Sequence, residues 1–163
     1  MRNPPVEVPA ASQIRLSADW HRTEKLGEIR KQEDERHAAT ARLLATGGLH
    51  TGKDYEEAAL IFQHGTTADD YLLAHTLALA ALAKGDASAA WIAAATLDRY
   101  LQTIGKPQIY GTQYQVKDGK PAAAEPFRRD LVPDALRHQI GVPSIADQEK
   151  LWTQLATPPA KPK

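Results

Sequence analysis

The chain contains no cysteine, which excludes disulfides and thiolate-ligated metal sites and removes the usual sequence clue to a redox compartment. It carries no formal net charge, since 20 Lys and Arg are balanced by 20 Asp and Glu. Gripping a phosphate backbone requires an excess of basic surface, so nucleic acid is not an expected partner. No apolar run approaches the about 20 residues needed to cross a bilayer as a helix, and no membrane span is expected. The short motifs of named chemistries are missing as well. There is no HExxH, no glycine-rich phosphate loop and no serine nucleophile elbow, and no two of the histidines stand three or four positions apart. Neither a metal nor a cofactor is therefore expected.

What remains is a chain of 163 residues, a length that suits one domain with one core. Its ends, MRNPPVEVPAAS and TPPAKPK, read as unstructured tails over 1–13 and 157–163, flanking a single helical domain over 14–156. The proline-rich start lacks the apolar centre of a signal peptide. A chain trimmed of such a peptide would look the same, so localisation stays open.

Between the tails, helix formers dominate. A charged stretch over 17–45 carries a sparse apolar series, Trp20, Leu26, Ile29, Leu43 and Leu44, which predicts a long helix with one narrow buried stripe, stopped at Gly47 and Gly48. A second helix is expected over 54–64, capped by Asp54 and closed by Gly65. Thr67 and Asp70 have the spacing of a capping box, with Asp in the usual Glu position, and open a third helix over 68–84. Asp86 then caps a fourth over 87–104, and Gly105 ends it. Helices two and four begin with the related phrases KDxxxA and GDxxxA, offset by 32 residues, close to the ~34-residue tetratricopeptide period. Their many alanines permit close helix packing.

After Gly105 the period changes. Ile109, Gly111, Gln113 and Gln115 alternate with Tyr110, Thr112, Tyr114 and Val116, and Lys117-Asp118-Gly119-Lys120 reads as a hairpin turn. Pro133 suits the first position of a short helix that stops at Gly141. Ser144 and Asp147 cap a last helix, with Trp152 and Leu155 turned to the core. The expected fold is mainly α: antiparallel helical hairpins with tetratricopeptide-like packing, and one irregular or β-hairpin segment near 108–122.

The polar residues that interrupt this pattern are the candidates for a site. Gln63 and His64 end the second helix beside Ile61 and Phe62, where an imidazole is either a simple C-terminal cap or a functional group. His75 breaks the apolar run YLLAHTLALAAL, either as a core histidine bonded to a carbonyl or tyrosine or as a ligand-binding side chain. Asp98 and Arg99 end the fourth helix after a mostly apolar stretch; the plain alternative is an ion pair and a loop anchor. Gln108, Tyr110, Thr112 and Gln113 follow directly. A connecting loop does not need long amides and phenols to turn, so these side chains either lock the loop or face a ligand.

The pairs Gln63-His64 and Asp98-Arg99, the segment from Gly105 through Gln108 and Tyr110 to Gln113, Asp118-Gly119, and a late Leu136-Arg137 before Ile140-Gly141 together resemble a family of bacterial proteins of unknown function. The shared features of that family are a QH pair, a DR pair and a GxxQxYGTQ segment. The resemblance runs from about Asp54 to Leu151 and does not extend over the first helix. It implies no substrate, cofactor or reaction, but it picks out the same polar residues.

Two functional expectations follow. In one, the domain binds a small polar molecule or a peptide at a pocket formed by His64, Asp98 and the YGTQ segment, with Gln63, His75, Arg99, Gln108, Tyr110, Thr112, Gln113 and Arg137 as ligand contacts. In the other it is an enzyme on an anionic substrate, with His64 as acid and base, Asp98 orienting it, and Arg99 or Arg137 holding the anion. Convergence of His64, Asp98 and Tyr110 in one buried place supports a site; dispersed positions beside an open groove support a tetratricopeptide-like module that binds a peptide or partner on its concave face, with the YGTQ segment as a structural clasp.

Overall fold

In a computed structural model, residues 11–117 and 120–156 are described, with side chains described for 25–115, 123–150 and 153. The chain runs through α1 (Ala11–Ala45), α2 (Gly52–Phe62), α3 (Ala68–Ala83), α4 (Ala89–Thr103), β1 (Tyr114–Lys117), β2 (Lys120–Ala123), α5 (Asp134–Gln139) and α6 (Ile145–Ala156). The mainly α fold is as expected, and the segment after α4 is a β-hairpin. β1 and β2 pair antiparallel from Tyr114 opposite Ala123 to Lys117 opposite Lys120. The outer tails, 1–10 and 157–163, and the hairpin turn at 118–119 lie outside the described residues, as do the side chains of Trp20, Trp152 and Leu155.

The core is built from α2, α3 and α4. α3 packs against both neighbours, and the short connections make consecutive helices antiparallel. The buried cluster consists of Ala58, Ala59, Phe62, Ala74, Leu77, Ala78, Ala81, Ala89, Ile92 and Ala93. Alanine is the best helix former and presents only a methyl group, so these helices form readily and approach closely. The same methyl limits what burial contributes. Phe62, Leu77 and Ile92 each stabilise by about 1.5–3 kcal/mol when buried, whereas an alanine adds little beyond close packing.

The helix stops follow the expected glycines, with positive φ at Gly47, Gly85, Gly105 and Gly141. The starts differ in detail. α2 begins two residues earlier than expected because Thr51, not Asp54, is its N-cap. The Thr51 hydroxyl accepts from the Asp54 amide at 3.1 Å, and the Asp54 carboxylate accepts in return from the amides of Thr51 (2.8 Å) and His50 (2.9 Å). α3 carries the expected box between Thr67 and Asp70. Two such boxes with Asp at the third position work because the shorter side chain still reaches back to the N-cap amide. The N-cap of α4 is Ser88, without a side-chain capping bond, and not the expected Asp86, whose carboxylate instead closes the preceding turn by accepting from the Ser88 amide at 3.1 Å. Pro133 stands one position before the helix it was expected to enter, as the N-cap of α5. Ser144 caps α6, its hydroxyl accepting from the Asp147 amide at 3.1 Å.

The largest departure is in α1. It does not bury the expected stripe: residues 25–36 are exposed, and Leu26, Ile29 and Leu43 are 53%, 40% and 49% exposed. Among the described side chains of α1, those that pack are in its last turns, His37, Thr40, Ala41 and Leu44. A 35-residue helix outruns the much shorter α2 it lies against, so the stretch 25–36 has no neighbour to cover among the described residues.

Candidate functional site

The segment after α4 is organised by one carboxylate. Asp98 has no exposed surface. It accepts from the amides of Ile109 (2.8 Å), Tyr110 (3.0 Å) and Thr112 (2.9 Å) and from the Thr112 hydroxyl (2.8 Å). Backbone amides converge in this way when the chain curls around an anion, and the curl passes through Gly111 at φ 69°. A Cβ at Gly111 would also lie 2.6 Å from the ring of Phe127. A carboxylate offers about four lone-pair positions, so Asp98 has no acceptor capacity left.

The two glutamines hold the same loop, each through three side-chain hydrogen bonds. The Gln108 amide nitrogen donates to the carbonyls of Gln113 (3.0 Å) and Ala124, and its oxygen accepts from the Gln113 amide at 3.1 Å. The Gln108 backbone meanwhile donates to the Pro126 carbonyl (3.0 Å) and accepts from the Arg128 amide (2.9 Å). The Gln113 side chain accepts from Arg99 Nε at 3.1 Å and donates to the carbonyl of Ala95 (3.3 Å) and the hydroxyl of Thr112 (3.0 Å). Arg99 also donates to the Gln63 carbonyl at 2.8 Å, tying the end of α2 to α4. Adjacent helical residues diverge by about 100°, and Asp98 and Arg99 accordingly grip different parts of one loop, its amides and its Gln113 side chain. On the far side, the buried Arg137 donates to the carbonyls of Tyr110 (2.7 Å) and Pro143 (2.9 Å). Burial pulls its guanidinium below the ordinary arginine range, against the opposing charges of Asp134, Asp98 and Tyr110.

Beside this network lies a cavity of about 130 Å³ between the α3–α4 hairpin and the straps at 110 and 140–142. α3 contributes His75, Leu79 and Leu82, α4 contributes Ala90, Ala93 and Ala94, and Tyr110, Ile140 and Val142 close it. His75 Nδ1 is 2.8 Å from the Ala93 carbonyl. A carbonyl only accepts, so Nδ1 carries the hydrogen and Nε2 is left with no partner among the described residues. The Tyr110 hydroxyl likewise has none. Neither is among the polar atoms sealed from solvent without a partner, which among the described residues are Nη1 of Arg137 and both amide atoms of Gln148. Burial pushes the Tyr110 phenol above its ordinary range, helped by the charge of Asp98 and opposed by that of Arg137, so at neutral pH it remains a hydrogen-bond donor.

His64 stands elsewhere. Its ring is exposed and has no hydrogen-bond partner among the described residues. It lines an open cleft of about 510 Å³ with Arg30, Glu33, Asp34, His37 and Asp70. There, His37 Nε2 lies 3.2 Å from an Asp70 oxygen, and its ring meets the edge of Phe62 at a centroid distance of 4.2 Å. Burial pushes the Asp70 carboxyl up, but the Thr67 hydroxyl, the amides of Thr67 and Thr66 and the His37 ring together hold it below its ordinary range.

The structure thus brings together Gln63, Asp98, Arg99, Gln108, Tyr110, Thr112, Gln113 and Arg137, with His75 reaching the same region through the cavity. It does not bring His64 to Asp98. The expected orientation of His64 by Asp98 is absent because amides of the loop occupy that carboxylate. Gln63 takes part through its carbonyl and not its side chain. The sequence reading missed His37, which only the fold sets beside Asp70, and the cavity walls Ile140 and Val142, which carried no polar signal. Among the described residues, no group of three or more His, Asp or Glu side chains is arranged to hold a metal ion, and no helix is long and apolar enough to cross a membrane. No family model, curated protein or solved structure matches this chain.

Proposed function

We propose that the chain is a helical binding domain for a small polar ligand, taken into the cavity between His75 and Tyr110. In this reading the Asp98–Gln108–Gln113 network is the scaffold that positions Tyr110. One observation carries it. Around the YGTQ segment the side chains of Asp98, Gln108 and Gln113 are bound to partners within the chain, while His75 Nε2 and the Tyr110 hydroxyl retain unused, accessible hydrogen-bonding capacity beside an apolar cavity. Apolar walls with a few placed polar groups are the usual make-up of a ligand pocket. Binding is favoured over the acid–base role considered for His64, because no side chain among the described residues orients that ring.

A screen of small fragments by NMR tests the proposal, reading the His75 ring, the Tyr110 ring and the methyl groups of Leu79, Leu82, Ile140 and Val142. Expected are fragments of few heavy atoms that shift these signals together. A screen in which nothing shifts them, or in which the responses cluster at His37 and His64, would move the binding site or remove it.

A further inference from the structure

The cavity's two free polar atoms differ in kind, and that difference selects a ligand. With its hydrogen on Nδ1 and given to Ala93, a neutral His75 offers a lone pair at Nε2 and accepts. Tyr110 donates. Nearby, Asp98 is taken up by its four donors, and Arg137 donates to the carbonyls of Tyr110 and Pro143 and lies 3.6 Å from Asp134, its remaining Nη1 being unpartnered but sealed from solvent. None of the residues that line the cavity is an Asp, Glu, Lys or Arg that could serve as counter-charge to an ion. A carboxylate would meet the Nε2 lone pair, and an ammonium would find one acceptor for three hydrogens; either would give up part of its water against apolar walls that carry no opposite charge, which is costly for an unpaired charge. The volume of about 130 Å³ falls a little below that of the cavity, about 150 Å³, that takes up benzene, so the body attached to the polar head has only a few carbons.

We propose that the ligand's head is uncharged and carries a donor and an acceptor side by side, as a short-chain primary carboxamide does: its N–H to His75 Nε2, its carbonyl to the Tyr110 hydroxyl. The inference rests on the cavity being the binding site, and it specifies the chemistry that site takes.

Titration of the whole chain at neutral pH with four probes of similar size, n-butyramide, n-butyrate, n-butylamine and benzene, tests it by calorimetry and by the His75 and Tyr110 NMR signals. Expected is butyramide binding roughly tenfold or more tighter than either charged analogue, the difference that one or two buried hydrogen bonds make. Tyr110→Phe, which removes one oxygen, and His75→Asn, which keeps an amide donor for Ala93 but lacks Nε2, should each weaken butyramide by roughly three- to tenfold. Butyrate or butylamine binding as tightly as butyramide overturns the proposal. So does benzene binding with no preference for butyramide, although the cavity would then survive as a site. If none of the four binds, the cavity itself is not a ligand site and both readings fall.

Discussion

Replacing Asp98 by asparagine changes one atom and leaves the shape of the side chain intact, so what it costs is the chemistry of the loop anchor. The amide oxygen can keep two of the four hydrogen bonds. The amide nitrogen replaces the other acceptor and turns its hydrogens toward groups that only donate or already donate. Hydrogen bonds to a charged group contribute about 1.5–3 kcal/mol each, and removing the buried charge returns part of the two that are lost. The net expected loss is about 3–5 kcal/mol, a large share of the about 5–15 kcal/mol that holds a domain folded. Thr112→Val removes the hydroxyl's bond to Asp98 at 2.8 Å and the one it accepts from the Gln113 side chain at 3.0 Å, and should cost about 1–3 kcal/mol. Urea unfolding of both variants, with an unchanged m-value as the sign that only stability moved, gives the two numbers. Hydrogen exchange at the amides of Ile109, Tyr110 and Thr112 should accelerate in the asparagine variant ahead of the rest of the chain. A loss below about 1 kcal/mol, or undisturbed exchange at those amides, would refute the assignment of Asp98 as the anchor.

The other expectations concern neighbouring parts of the structure. Gln108→Glu swaps two donors for acceptors opposite the carbonyls of Gln113 and Ala124, and should cost about 2–4 kcal/mol in the same unfolding assay. Gly111→Ala combines a left-handed backbone with a Cβ placed 2.6 Å from the Phe127 ring; a loss above about 2 kcal/mol is expected, and a neutral result would mean that the loop readily adopts another path. Asp54, Asp70 and Asp147 are held below their ordinary value of 3.8, Asp54 chiefly by backbone amides, Asp70 by its capping bonds against burial, and Asp147 by the Ser144 hydroxyl. Their contribution is present above that value and fades as pH falls through the lower folded-state values, because the unfolded chain then binds the protons. Unfolding midpoints should therefore decline below about pH 4, and Asp70→Asn should flatten that decline.

The helical frame was legible because its signals are local. Gly47, Gly85, Gly105 and Gly141 stop helices through backbone conformation alone, and Thr67 with Asp70 states a helix start within four residues. α1 was misjudged for the opposite reason. Whether Leu26 and Ile29 are buried depends on what lies across from them, and the spacing of apolar residues says nothing about the length of the partner helix. The polar residues after α4 stood out in the sequence because side chains such as Gln108 and Gln113 exceed what a turn requires, and the structure joins these two in one hydrogen-bond network. Their grouping was only partly readable. Asp98 and Thr112 are close in sequence and meet, whereas His64 sits one residue from a carbonyl that Arg99 grips and still turns to a different cleft. Sequence distance along a helix end does not report side-chain direction. The cavity was the least legible part, because Ile140 and Val142 look like ordinary spacers and acquire meaning only once Arg137 has drawn their segment against Tyr110.

The network around Asp98 also bears on the order in which the chain assembles. α2, α3 and α4 are joined by short turns and meet neighbours close in sequence, contacts that form early because little chain must be ordered to make them. The hydrogen bonds from Arg99 to Gln63 and from Arg137 to Tyr110 close separations of 36 and 27 residues. Beyond α4, the buried apolar side chains among the described residues are Ala123, Val132 and Val142. The loop at 109–113 docks through polar groups, with the end of α4 offering it a carboxylate and a guanidinium. In a growing chain the Gln63 carbonyl is already present when Arg99 appears and the amides that take up Asp98 follow within 14 residues, whereas the tie from Arg137 comes 27 residues after Tyr110, so the loop is anchored to α4 well before its far side is closed.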